Sequence, residues 1–143
     1  MNRHPCQELG KRILNIYLKV VVMAKNINIL LVEDEPLIVK DLKYSLNQMG
    51  FPWVEIAHSG EAAIIALKNK QFDLVLVDIV LAGKMDGIQL AEYISKNHNT
   101  PFIYLTSQTD EKTMSRIKKT FPKAILQKPI DTNQLYVNIE LSL

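Results

Sequence analysis

Apolar residues in this chain fall into short unbroken runs, and between the runs they recur at the spacing of a helix face. The runs ILLV and LVLV show no polar alternation, as expected of strands buried on both faces of a parallel sheet. Strands are predicted at about 27–32, at WVEIA (53–57), at DLVLV ending at Asp78, at FIYLT (102–106) and at AILQ (124–127). The segment opening at Pro36 carries Leu37, Ile38, Leu42, Leu46 and Met49 on one face, and Gly50 stops it. Ser59 is placed to cap a second helix, and Ile88, Leu90, Ala91 and Ile94 define a third after a loop through Gly83 and Gly87. Thr109 or Asp110 caps a fourth helix with Lys and Arg toward its end, and DTNQLYVNIELSL makes the last. Five strands alternating with five helices predict an α/β domain built on a doubly wound parallel sheet. Trp53 and Tyr104 are expected to pack against its helices.

A further stripe lies upstream. Ile13, Ile16, Tyr17, Val20, Val21 and Ala24 share one face, with Asn15 and Lys19 opposite. Residues 1–22 therefore read as a helical extension and 23–143 as the domain proper. A helix is expected over about 8–24, packed on the domain or on a second copy, because such a stripe is a liability in water.

With 143 residues and 48% hydrophobic content, one domain with a full core is affordable and two are not. Cys6 is the one cysteine, so no internal disulfide forms and a reducing, cytoplasmic setting is expected. The formal net charge of +2 is uneven, since the extension holds Arg3, Lys11, Arg12 and Lys19 against Glu8. The domain itself is slightly acidic, which argues against direct nucleic-acid binding. No membrane span is expected, because Asn15 and Lys19 interrupt the segment ILNIYLKVVVMA, and a signal peptide is not indicated.

Chemistry gathers where the runs stop. Glu33 and Asp34 follow the first, Asp78 ends the third, and Thr106 and Lys128 follow the fourth and fifth. Ligands of open α/β sheets bind beyond the carboxyl ends of the strands. Carboxylates converging there repel one another unless a cation intervenes, and oxygen-only ligands suit magnesium or manganese. Taken singly, each residue has a plain reading: an acidic loop before a helix, a cap or a solvated lysine. Gly83-Lys84 lacks the remainder of a P-loop, and His4, His58 and His98 have no ligand spacing. Lys112, Arg116, Lys118, Lys119 and Lys123 read as a solvated helix face more readily than as a dock for an acidic partner.

Together, LLVEDEP, LVLVDIVL, MDGIQLAEYI, IYLTS and QKPID, in this order, resemble the receiver domain of two-component response regulators over about residues 27–142. The resemblance implies the strand order 2-1-3-4-5. It implies Asp78 as phosphoryl acceptor and a magnesium (or manganese) site made of Glu33, Asp34, Asp78 and the carbonyl of Val80. Thr106 and Lys128 would stabilise the transferred group. The implied partner is a sensor histidine kinase or a histidine phosphotransfer protein, with a homodimer also open and the downstream target unknown. Such a domain is not a conventional enzyme, although it promotes its own phosphorylation and dephosphorylation. The face of the fourth helix after the first strand, the fifth strand and the fifth helix would switch, and Lys128-Pro129 would be cis.

The sequence departs from the family pattern at Ile125, where an aromatic is usual, and at Glu33, where aspartate is common. In the family, the residues two after the acceptor and two after the threonine influence the attacking water. These are Val80 and Gln108 here, which suggests a long-lived phosphorylated state. Two other classes compete: a receiver-fold interaction module that is never phosphorylated, and an aspartyl-phosphate phosphatase. The second lacks the acid it would want at Val80. Met23 reads like an ordinary receiver start, and a stand-alone receiver, a relay shuttle and a piece of a larger sensor are equally compatible with the chain.

Overall fold

The expected strands form because four of the five are apolar nearly throughout and have somewhere to bury both faces. The computed structural model describes residues 4–24, 27–108 and 110–143, with side-chain surroundings outside 18–26. Its elements run α1 (Pro5–Ala24), β1 (Asn28–Val32), α2 (Pro36–Gln48), β2 (Trp53–Ala57), α3 (Gly60–Asn69), β3 (Leu74–Asp78), α4 (Gly87–Asn97), β4 (Phe102–Thr106), α5 (Glu111–Lys118), β5 (Ala124–Gln127) and α6 (Thr132–Ser142). All strand pairings are parallel, in the order β2-β1-β3-β4-β5. This is the doubly wound sheet expected from the pattern and the resemblance.

Alternation along the strands divides the interior in two. Leu30, Val32, Val75, Val77 and Tyr104 face α3, α4 and α5, where Ala63, Leu67, Leu90, Ile94 and Ile117 meet them. Ile29, Leu31, Leu76, Ile103 and Leu105 face α2 and α6, against Leu42, Leu46, Leu135 and Ile139. Each fully buried aliphatic side chain contributes on the order of 2 kcal/mol. Tyr104 lies within the first layer, and its hydroxyl is 2.7 Å from Thr120 Oγ1, which also donates to the Ile117 carbonyl. Burial pushes the Tyr104 phenol up to about 12, against the lowering effect of that hydrogen bond.

Caps set the helix starts. Ser59 accepts from the Ala62 amide, Asp110 from Thr113 and Asp131 from Gln134. Asp110 is thus the cap of α5, while Thr109 lies outside the described residues. Asp86 and Gln89 form a capping box at α4.

Three expectations need correction. Leu37 does not join the buried face of α2, being 71% exposed. It stands a quarter turn off the stripe of Ile38, Leu42 and Leu46, on the side of exposed Tyr44. Trp53 is 55% exposed, because it begins the edge strand β2 on the same side as exposed Glu55. Helix α1 is present and slightly longer than expected, but Ile13, Ile16 and Tyr17 are exposed rather than packed on the domain. Both sheet faces already have their helices, so no apolar seat is left for it. The stripe's remaining members, Val20, Val21 and Ala24, lie outside the described side chains.

One residue sits against its own backbone preference. Phe121, between α5 and β5, has φ of 55° and is 84% exposed. For a residue with a Cβ the left-handed region costs about 1–2 kcal/mol, and an exposed ring returns little packing. Phe121→Gly is expected to stabilise the protein by about 1 kcal/mol in a urea titration. An unchanged or lower midpoint would show that the ring contributes more than its exposure suggests.

Candidate functional site

The strand order makes β1 and β3 neighbours, with Val32 paired to Val77. The residues that follow each strand therefore emerge side by side at the carboxyl edge of the sheet. Glu33, Asp34 and Asp78 each offer a carboxylate oxygen, and these oxygens all lie within 4.8 Å of one another. Glu33 is 1% exposed and Asp78 6%, while Asp34 is open to solvent. Among the described residues this is the one cluster of its kind.

Lys128 reaches it from beyond β5. Its Nζ lies 2.9 Å from Glu33 Oε2 and 3.2 Å from Asp78 Oδ2. Its backbone amide donates to the Thr106 carbonyl at 2.8 Å, and the following bond to Pro129 is cis, as the resemblance implied. Burial alone would lower the ammonium's pKa, but the Glu33 hydrogen bond and the charges of Asp78 and Glu33 outweigh it and raise the pKa. Burial, then the charge of Glu33, pushes Asp78 up to about 6, with Lys128 pulling the other way.

Glu33 is held from two sides, since its Oε1 accepts from the Glu35 amide at 3.2 Å. Asp34 Oδ2 accepts from the Ala82 amide at 3.0 Å, reaching across to the loop that follows β3. Asp78 Oδ1 lies 3.4 Å from the Val80 amide, a long contact. Thr106 is buried at the end of β4, and its hydroxyl accepts from the Gln108 amide at 2.9 Å. The hydroxyl is thus engaged by its own loop. Val80 follows the acidic pocket with its side chain largely exposed.

The donor set fits a hard divalent cation. Three carboxylates face one ammonium, every other donor nearby is oxygen, and two of the acids are nearly inaccessible to water.

Sequence reasoning missed two parts of this neighbourhood. Gly87 packs directly on the backbone of Asp78, and its amide donates to the Ile79 carbonyl at 2.8 Å. Glu61, in the first turn of α3, accepts from the Lys84 amide at 3.1 Å. Both depend on where the loop crosses, and no local spacing announces that. The Asp86 to Gln89 capping box could have been read from its spacing. In the basic cluster, Arg116 pairs with Asp86 at 2.9 Å, and both side chains keep much of their solvent exposure. Such a pair contributes at most about 1 kcal/mol.

A fold of this order, with acids from β1 and β3 meeting a lysine from beyond β5, defines a class of signalling receivers, and the comparisons agree. The profile of the response regulator receiver domain matches residues 29–140, and the chain belongs to that family. Among curated relatives, it is 30% identical over 115 residues to the transcriptional regulatory protein PdtaR of Mycobacterium tuberculosis, covering 80% of this chain and 56% of that protein. It is also 30% identical over 121 residues to a probable chemotaxis protein CheY of Rhizobium etli, covering 82% of this chain and 93% of that one. The chain spans about half or less of the transcriptional regulators it matches. Among solved structures, the signal receiver domain of a modulated diguanylate cyclase from Desulfovibrio desulfuricans G20 is 31% identical. It has a TM-score of 0.77, over 82% of this chain and 94% of that one. No described helix is long and apolar enough to cross a membrane.

Proposed function

We propose that this chain receives a phosphoryl group on Asp78 from the phosphohistidine of a sensor kinase or histidine phosphotransfer protein. The observation that carries the reading is Lys128 Nζ, held 2.9 Å from Glu33 and 3.2 Å from Asp78 beside an acidic triad. Glu33, Asp34 and Asp78, with the carbonyl of Val80, would hold Mg2+, or Mn2+ in its place. The cation, when bound, supplies positive charge to the oxygens of the transferred group.

The chain's own residues do the rest. An Asp78 oxygen forms the new bond to phosphorus as the bond to the histidine nitrogen breaks, and that nitrogen keeps the electron pair. Lys128 is already anchored beside the acceptor, so its charge can follow the phosphoryl oxygens without reorganising. Thr106 would exchange its bond to the Gln108 amide for one to a phosphoryl oxygen. The loop after β4 would be released by that exchange, and with it the face of α5, β5 and α6. Ile125, partly exposed on β5, replaces the aromatic usual in the family, so any switch here works through the loop rather than an aromatic side chain. The absence of an acidic side chain at Val80 favours a receiver over a phosphatase.

Incubation with a small acyl phosphate and Mg2+ is expected to add one phosphoryl group, read by intact mass, and an excess of chelator is expected to prevent it. Addition of equal extent with and without chelator would reject the cation's part. No addition under any condition would favour the non-phosphorylated interaction module.

A further inference from the structure

The loop between β3 and α4 is tied to two other elements by carboxylates. Asp34, beyond β1, accepts from the Ala82 amide, and Glu61 of α3 accepts from the Lys84 amide at 3.1 Å. Glycines make the second tie possible. Gly83 has φ of +97°, and a Cβ there would stand 2.9 Å from Glu61 Oε2. Gly60 likewise leaves room for Met85, whose sulfur would lie 2.8 Å from a Cβ at that position. The sequence Ser59-Gly60-Glu61 thus does more than start a helix: it clasps Gly83-Lys84-Met85. Backbone hydrogen bonds, first from its own amide and then from Lys84 and Met85, hold the Glu61 carboxyl below its ordinary range, although burial opposes them.

We propose that Glu61 is a positioning residue for the acidic pocket, fixing the loop that carries Val80 so that Asp34 and the loop backbone meet a divalent cation together. This rests on the reading of Glu33, Asp34 and Asp78 as a cation site. The argument is geometric. Asp34 is the exposed member of the triad, and the Ala82 amide that orients it belongs to the loop that Glu61 anchors two residues further on. With that anchor cut, the loop explores more conformations, and cation binding must order it again. Glu61 itself contacts neither the cation site nor the acceptor in any bond described, so its influence passes through the loop.

Mg2+ titrated calorimetrically into the full chain tests this. Glu61→Ala is expected to weaken Mg2+ binding roughly tenfold, with faster hydrogen exchange at the Lys84 and Ala82 amides and unchanged protection of β1 and β3. Glu61→Gln keeps one acceptor oxygen and is expected to recover part of the affinity, which a generic effect of removing charge would not do. Gly83→Ala attacks the same clasp from the other side and is expected to behave like Glu61→Ala. If the parent binds Mg2+ and both alanine variants bind it equally well, the clasp has no such role. If the parent binds no Mg2+, the cation site fails and the clasp's proposed purpose fails with it.

Discussion

Asp78→Asn is expected to abolish phosphoryl acceptance and, in the cation-free protein, to raise stability at neutral pH. The first effect follows from the loss of the nucleophile: an amide oxygen at that position retains the shape but not the charge that attacks phosphorus. Label from a small acyl phosphate should disappear from the variant, and label that persists would place the acceptor elsewhere. The second effect follows from burial. Asp78 titrates at about 6 in the folded chain against an ordinary value of 3.8, because it is desolvated and faces Glu33. A group whose folded pKa is raised contributes stability below the unfolded value, and that contribution is lost as pH rises through the folded one. Above about pH 6 the ionised acid therefore weighs against folding by roughly 2–3 kcal/mol, with chelator present. The variant should exceed the parent by an amount of that order at pH 7, and the gap should close as pH falls from about 6 toward about 4. A gap independent of pH would mean that Lys128 already neutralises the acid in full.

Gly87→Ala is expected to be the most damaging small substitution near the site. A Cβ there would overlap the Asp78 carbonyl oxygen and stand 2.8 Å from both the Asp78 carbonyl carbon and the Ile79 Cα. All three are backbone atoms, so no side chain can turn aside. Moving α4 away would stretch the Gly87 amide bond to Ile79 and open the contact of Ile88, Leu90 and Ile94 with β3. A loss of about 3 kcal/mol is expected in denaturant titrations, with slower phosphorylation in whatever fraction folds. Parent-like stability would mean that β3 and α4 can part without cost.

The strands were legible because ILLV, LVLV and FIYL are apolar on both faces, and little besides the interior of a parallel sheet accommodates that. The positions of Glu33, Asp34, Asp78, Thr106 and Lys128 were legible for a related reason: each interrupts or follows such a run, and strand order then brings the ends together. Their chemical roles came from family resemblance, because spacing alone does not distinguish a nucleophile from a cap. Leu37 and Trp53 were misread because each lies at the beginning of its element, where periodicity has too few neighbours to fix a direction. Gly87 and Glu61 were invisible as site residues because their partners lie across a loop. A glycine before a helix and a glutamate in its first turn are ordinary features of sequence.

The hydroxyl of Tyr104, bonded to Thr120 in the dry layer beneath α5, has a mechanical meaning. Leaving a buried phenol without a partner costs about 1–3 kcal/mol, so the carboxyl end of α5 is latched rather than cushioned. Small sideways strains on the helix are resisted, and larger ones release it in one step. A message carried through this helix would therefore arrive as a threshold event, sharpened by one hydroxyl pair that lies far from the acids where the message begins.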